Sequence, residues 1–391
     1  MLELLNGARA VALLGTCKNA GKTTAMNRLI RELAEAGGPV AALTSIGRDG
    51  ESRDLVTGTD KPPIYLYEGM LAATAAGLLP VCDASREILR TTGIHTSLGE
   101  VVIFRARSDG FVQLAGPGIV EQLAPLRAML TELGTGIVLI DGALSRRSPA
   151  AGVKDGACIL STGASLDRDL ETVVAETAYA ARLLTLPQTP APGPEAGRLT
   201  LFRACRHPLS ADGRAAQGSR PYGADHTPPN LVPVGAAALG GPESRPPLAD
   251  GRAAQGSRPY GAEGETASLT GTGFPDFPAL LDALRRERGP ATVLLSGALT
   301  ETQAKALLRS GAAREGLTLL CGGGSQLLLR RETFEALRFR GVRFAVRSTT
   351  RLAAVTVNPV SAGGWRFDPE AFRERMQAAL PGIPVVDALR D

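Results

Sequence analysis

No apolar run in this chain approaches the roughly 18 residues that a membrane span needs. The opening MLELLNGARAVALLG has no basic start followed by a small-residue cleavage site, so no membrane partner and a cytoplasmic location are expected. Aromatic residues are scarce, at 4% with one Trp, and the net charge of +4 is small for 391 residues. The arginines are scattered rather than gathered into a basic stripe with interleaved aromatics, which argues against a nucleic-acid surface. Cysteine is rare too: Cys17, Cys82, Cys158, Cys205 and Cys321 form no C-x-x-C pair, and His95, His207 and His226 are distant from them in sequence. That spacing speaks against a zinc site or a disulfide framework and for isolated reduced thiols.

What the chain does have is apolar content, 44%, enough to build real cores in a two-domain protein. Over residues 1–187 apolar strand-like runs alternate with helix-like runs, which predicts an α/β domain with a mostly parallel sheet. Residues 188–271 change character, becoming rich in Pro, Gly, Ala and Ser with little periodicity, and read as a disordered insert. Within it ADGRAAQGSRPYGA occurs twice without change, at 211–224 and 249–262. A literal, polar copy with only two occurrences fits insertion of a duplicated element better than a folded repeat, which would drift and keep its own hydrophobic period. From 272 to 391 strand and helix patterns return, in the order FPALLDALRRE, ATVLLSGA, TETQAKALLRS, LTLLCGG, VRFAVRS, LAAVTVNPV, DPEAFRERMQAAL and IPVVDA. This stretch reads as a second, smaller α/β domain.

The stretch with most chemical content is GTCKNAGKTT, residues 15–24. The apolar strand RAVALL precedes it, and a helix pattern follows with Met26, Leu29, Ile30 and Leu33 on one face and Gly37 and Gly38 to end it. A strand, a tight turn and a helix start form a phosphate cradle, because the free N–H groups and dipole of the helix face the anion. Gly15, Thr16, Cys17, Lys18, Asn19, Ala20, Gly21, Lys22, Thr23 and Thr24 are the candidate ATP-binding residues. Lys22 is expected to reach the terminal phosphates as a catalytic cation, and the Thr23 hydroxyl to hold Mg²⁺. The usual spacing G-x-x-x-x-G-K-[ST] puts Thr16 where a glycine is expected.

A metal site needs acids. Asp141 ends the apolar strand of GTGIVLIDGA, and a parallel sheet would set that strand end beside the loop. GRDGES at 47–52 offers Asp49 first and Glu51 second, for Mg²⁺ or for placing the attacking water. Thr23, Asp49 and Asp141 are therefore the metal candidates, with Lys22 and Asp49 the catalytic ones. Cys17 reads as a packing residue rather than a nucleophile, since no histidine is near it in sequence. His95 reads as structural, and Arg105 and Arg107 as surface ion-pair residues. Thr162, Gly163 and Ser165 are candidates to border the base. No D-x-H-x-x-G cobalamin motif is present.

G-T-x-x-x-x-G-K-T resembles the loop of the dethiobiotin synthetase and cobyrinic acid synthase branch of P-loop proteins, in which the leading Gly-Thr starts the turn one residue earlier. That branch often works as a homodimer. Its dimer-crossing lysine stands five residues before the GKT lysine, whereas Lys18 stands four before Lys22. With ALTSIGRDGE, TTGIHTSLGEVVIFRA, LIDGALSRRS and ILSTGASLDRDL added in order, the chain resembles the reactivase subunit that accompanies lysine 5,6-aminomutase in lysine fermentation. The similarity covers about residues 8–186 and resumes near 272. It implies a P-loop NTPase that uses ATP and Mg²⁺ to release damaged cobalamin from a cobalamin- and pyridoxal-phosphate-dependent lysine or ornithine aminomutase. The partners it implies are that aminomutase and a mismatch-repair-like ATPase subunit. Two rival functions are an ATP-dependent small-molecule ligase of the dethiobiotin synthetase type and a cofactor- or metal-insertion GTPase. Against the GTPase, no clear N-K-x-D motif is present, VKDG at 153–156 being a weak echo.

Overall fold

The computed structural model describes residues 1–46, 48–49, 63–142, 156–189, 199–202, 277–286, 289–295 and 297–390, with the backbone alone at 48–49 and 199–202. Glu51, VKDG up to Asp155, Cys205, His207, His226 and both copies of the duplicated segment lie outside the described residues. The chain divides into two compact units.

The first unit, Met1–Pro190 with Cys321–Glu335 and Phe344–Asp391, is an α/β body around a nine-stranded sheet. In chain order its strands are β1 (Ala10–Gly15), β2 (Ala41–Ser45), β3 (Leu71–Ala75), β4 (Arg86–Thr96), β5 (Gly99–Ala106), β6 (Ile137–Asp141), β7 (Gly156–Gly163), β8 (Arg351–Asn358) and β9 (Val385–Asp387). Across the sheet the order is β9-β8-β7-β1-β6-β2-β3-β5-β4. The seven strands from β9 to β3 run parallel, and β5 and β4 close one edge antiparallel.

Among the described residues, four helices cover the sheet: α1 (Lys22–Glu35), α2 (Leu123–Glu132), α3 (Leu170–Leu184) and α4 (Pro369–Ala379). Val11 and Leu13 of β1 pack with Met26, Leu29 and Ile30 of α1 on one face. Ala12 and Leu14 pack with Val173 and Ala181 of α3 and Phe372 of α4 on the other. Leu126 and Leu130 of α2 pack with Val138 and Ile140 of β6 in a separate cluster. Central strands covered on both faces favour continuous apolar runs, which is why IVLI of β6 is buried throughout rather than alternating, with Asp141 the buried exception at its end. Among the described residues no helix is long and apolar enough to cross a membrane.

The second unit comprises Ala191–Leu320 and Ala336–Arg343. Its strand Ala291–Leu295 pairs in parallel with Leu199–Phe202 on one side and with Leu317–Cys321 on the other. Helices Phe277–Arg286 and Glu301–Arg309 accompany them, the latter opened by a capping box between Thr300 and Gln303.

The boundary expected at residue 272 is corrected by this division. β8, β9 and α4 do not belong to a separate smaller domain, because β8 pairs with β7 and extends the main sheet. The physical reason is the open edge of β7: the backbone N–H and C=O groups of a buried strand need partners on both edges, and the second partner comes from far along the chain. Of the expected 188–271 insert, Gln188 and Thr189 are described in the first unit and 199–202 as a strand, and the remainder lies outside the described residues.

Candidate functional site

The loop between β1 and α1 sits at the C-terminal edge of the parallel strands, where ligands of open α/β sheets bind. Two residues take left-handed backbone, Asn19 at φ 59° and Gly21 at φ 91°. Gly21 is required twice over: a β-carbon would be strained at that φ, and it would stand 3.1 Å from Cβ of Asn358. Gly21 is also the N-cap of α1 and has no side chain to satisfy the first amides of the helix, which leaves them to the loop and to a ligand.

The start of the loop is fixed by backbone and hydroxyl contacts. Thr16 N–H donates to Ser161 O at 2.9 Å, and its hydroxyl donates to the Thr162 hydroxyl at 3.0 Å. Thr162 and Thr177 hydroxyls lie 2.8 Å apart, and Thr177 donates to Val173 O at 2.7 Å. Each hydroxyl has one proton to give, so the chain has one direction, from Thr16 through Thr162 and Thr177 to the α3 carbonyl. Asn358, at the end of β8, adds a second brace by donating Nδ2 to Asn19 O at 3.0 Å while its Oδ1 accepts from Val360 N–H.

The end of the loop is fixed by charge. Lys22 Nζ lies 2.7 Å from Asp141 Oδ1 and donates to Gly142 O at 2.9 Å. The pairing follows from register, since β1 and β6 are neighbours with Leu13 opposite Asp141. Asp141 is buried, and its carbonyl accepts from Ile46 N–H of the chain leaving β2.

The structure thus brings together Gly15, Thr16, Asn19, Gly21, Lys22 and Asp141 of the expected set, with Thr23 and Thr24 half-buried in the first turn of α1 and Ala20 buried beneath the loop. Lys18 is exposed. Cys17 is half-buried, and burial pushes its thiol up against a smaller opposing hydrogen bond with Thr16. A neutral thiol suits packing rather than nucleophilic attack. The Asp49 backbone pairs with Leu114, while its side chain, like Glu51, lies outside the described residues. Thr162 touches the loop directly, and Ser165 accepts from Ala362 N–H on the segment after β8. His95 is exposed on β4, and Arg107 pairs with Glu87.

Sequence reasoning missed Thr177 and Asn358. The signal available was a polar residue ending an otherwise apolar strand, VTVN, just before a proline. No protein-family model, curated protein or solved structure matches the chain. The chemistry of the site is therefore read from its own groups: the uncapped amides at the start of α1, one cation, and a buried carboxylate paired with it. Such a set suits a phosphate chain and a hard divalent cation. Among the described residues no three His, Cys, Asp or Glu side chains gather to hold a metal by themselves.

Proposed function

We propose that this chain is a P-loop ATPase that acts as a reactivating factor for a cobalamin-dependent aminomutase. The observation that carries the nucleotide reading is the position of Lys22, at the mouth of a glycine-bounded loop and 2.7 Å from a buried aspartate on the neighbouring strand. An ammonium held at that point is placed to shift from Asp141 onto arriving phosphate oxygens.

The residues fit the expected group. Thr23 and Asp141 supply oxygen donors for Mg²⁺, directly or through water, and the bound cation would neutralise charge on the phosphates. Loop amides and the first turn of α1 orient the phosphate chain. Lys22 stabilises the charge that develops between the β and γ phosphates. The hydroxyl chain from Thr16 and the brace from Asn358 hold the loop to its shape, so little reorganisation is needed as the charge moves.

The reactivase role is supported by the ordered likeness of the quoted segments to that family. A mismatch-repair-like ATPase subunit and the aminomutase are the partners it brings, and a homodimer accords with the branch. The test is ATP hydrolysis by the purified chain with Mg²⁺, alone and with a cobalamin-dependent aminomutase and its paired ATPase, following recovery of inactivated mutase in the same tubes. Lys22→Ala and Thr23→Ala should each lower turnover by about 100-fold or more. Normal turnover in Lys22→Ala would overturn the nucleotide reading, and hydrolysis without mutase recovery would overturn the reactivase role.

A further inference from the structure

A cavity of about 430 Å³ opens within the first unit, beside Thr16 on the α3 side of the loop. Its volume is in the range of small-molecule sites. Its lining is unusual in carrying two charges of each sign, Arg330 and Arg331 against Glu176 and Glu332. The rest of the wall is apolar, from Leu166, Ala180, Leu329 and the ring of Tyr179. That wall is tied together, since the Tyr179 hydroxyl donates to Leu329 O at 2.8 Å.

A simple anion would face two carboxylates here, and a simple cation two guanidiniums. An uncharged apolar ligand would strip water from four charges and return nothing. A ligand with one charge of each sign on an aliphatic stem answers all three parts of the wall. We propose that this cavity binds a small zwitterion, a free amino acid with an apolar or long aliphatic side chain. The guanidinium fork of Arg331 receives the carboxylate, Glu176 takes the ammonium, and the stem lies along Leu166, Ala180 and Leu329. Arg331 now holds both acids, Glu176 through Nε at 2.9 Å and Glu332 through Nη2 at 3.5 Å, with side chains 39%, 38% and 70% exposed, so the ligand carboxylate displaces both. Pairs so open to water are weak, and exchanging them for a ligand with one charge of each sign costs little.

The site also touches the loop. Glu176, Tyr179 and Ala180 flank Thr177, the α3 end of the hydroxyl chain that starts at Thr16. An occupant therefore presses on the same helix turn that fixes the start of the loop. The binding itself does not rest on the ATP reading.

Calorimetric titration of the full chain without nucleotide or magnesium tests the proposal, with L-leucine, L-lysine and L-glutamate as probes and hexanoate and hexylamine as single-charge controls. The expected result is one-site binding of leucine at least tenfold tighter than either control and tighter than lysine or glutamate, whose extra charge meets the apolar wall. Arg331→Gln should weaken it tenfold or more, and Leu166→Trp, which crowds the cavity from a half-buried position on its wall, should abolish it, with circular dichroism unchanged in both. No binding of any amino acid at millimolar concentration overturns the proposal. So does hexanoate or hexylamine binding as well as the amino acids, or binding that both variants leave intact. Because ATP is absent, a failed ATPase assay and a failed titration are separate results.

Discussion

The two ends of the loop are tied to the sheet by opposite chemistry. At its start the tie is neutral, three threonine hydroxyls in a directed chain, with Thr162 and Thr177 fully buried. At its end the tie is ionic, Lys22 on Asp141, with side chains 18% and 5% exposed. A satisfied hydroxyl chain offers a ligand nothing to exchange, because every proton already has its acceptor. A buried ion pair is different: desolvation cancels much of its Coulomb gain, so a ligand that brings its own charges can take over one partner at little net cost. A stiff start and an exchangeable end are what a loop needs if, as proposed, it is to keep its shape while receiving phosphates.

The largest effect should come from breaking the ionic end one side at a time. Lys22→Ala takes the lysine from a buried carboxylate and should cost about 3 kcal/mol of stability in urea denaturation. Adding Asp141→Asn should recover at least half of that loss, since the carboxylate charge goes with its partner. If the two losses simply add, the pair is not coupled and the contrast between the ends collapses. The neutral end should lose less. Thr162→Val keeps the shape, removes the donor to Thr177 and the acceptor of Thr16, and should cost about 1–2 kcal/mol, independent of salt. A loss equal to that of Lys22→Ala would mean that the hydroxyl chain, not the ion pair, carries the loop.

Much of this site is local in sequence, and that part was legible. RAVALL, GTCKNAGKTT and the Met26, Leu29, Ile30 and Leu33 stripe predict β1, the loop and α1, and all four of those side chains are buried. Asp141 was found because an apolar strand ending in an acid has few other readings, and neighbouring register brings it to Lys22. The elements after residue 277 were legible as elements, but their sheet was not. LAAVTVNPV reads as a buried strand in either domain, and nothing in its periodicity says that its neighbour is β7, some 195 residues earlier at the Thr356–Ser161 contact. Asn358 was invisible for the same reason: its amide acts on Asn19 across 339 positions. The hydroxyl chain was half visible, since Thr162 stood out in ILSTG while Thr177 looked like one polar residue in a helix.

The far end of α1 supplies a control for the comparison, an ionic tie whose carboxylate is more open to water, Glu32 at 20% exposed against 5% for Asp141, while its cations are no more open than Lys22. Glu32 accepts from Arg28 Nε at 2.7 Å and from Leu2 N–H at 2.7 Å, and it lies 3.0 Å from the terminal amine of Met1. Burial works against its charge, but the bonds from Arg28, Leu2 and the amine outweigh it and bring its pKa from 4.5 to about 2. A carboxylate with a lowered folded-state pKa contributes stability that is fully present above 4.5 and fades as the pH falls through about 2. Solvent screening limits its size, so Glu32→Gln should cost roughly 1 kcal/mol at pH 7. The gap between wild type and variant should close as acid approaches pH 2, and added salt at pH 7 should narrow it as well. The Lys22 and Asp141 tie, whose carboxylate is the more buried of the two, should respond less to the same salt. Equal salt sensitivity at the two ends of α1 would mean that burial of Asp141 does not shield its pair with Lys22, and would remove the distinction on which the exchangeable end of the loop depends.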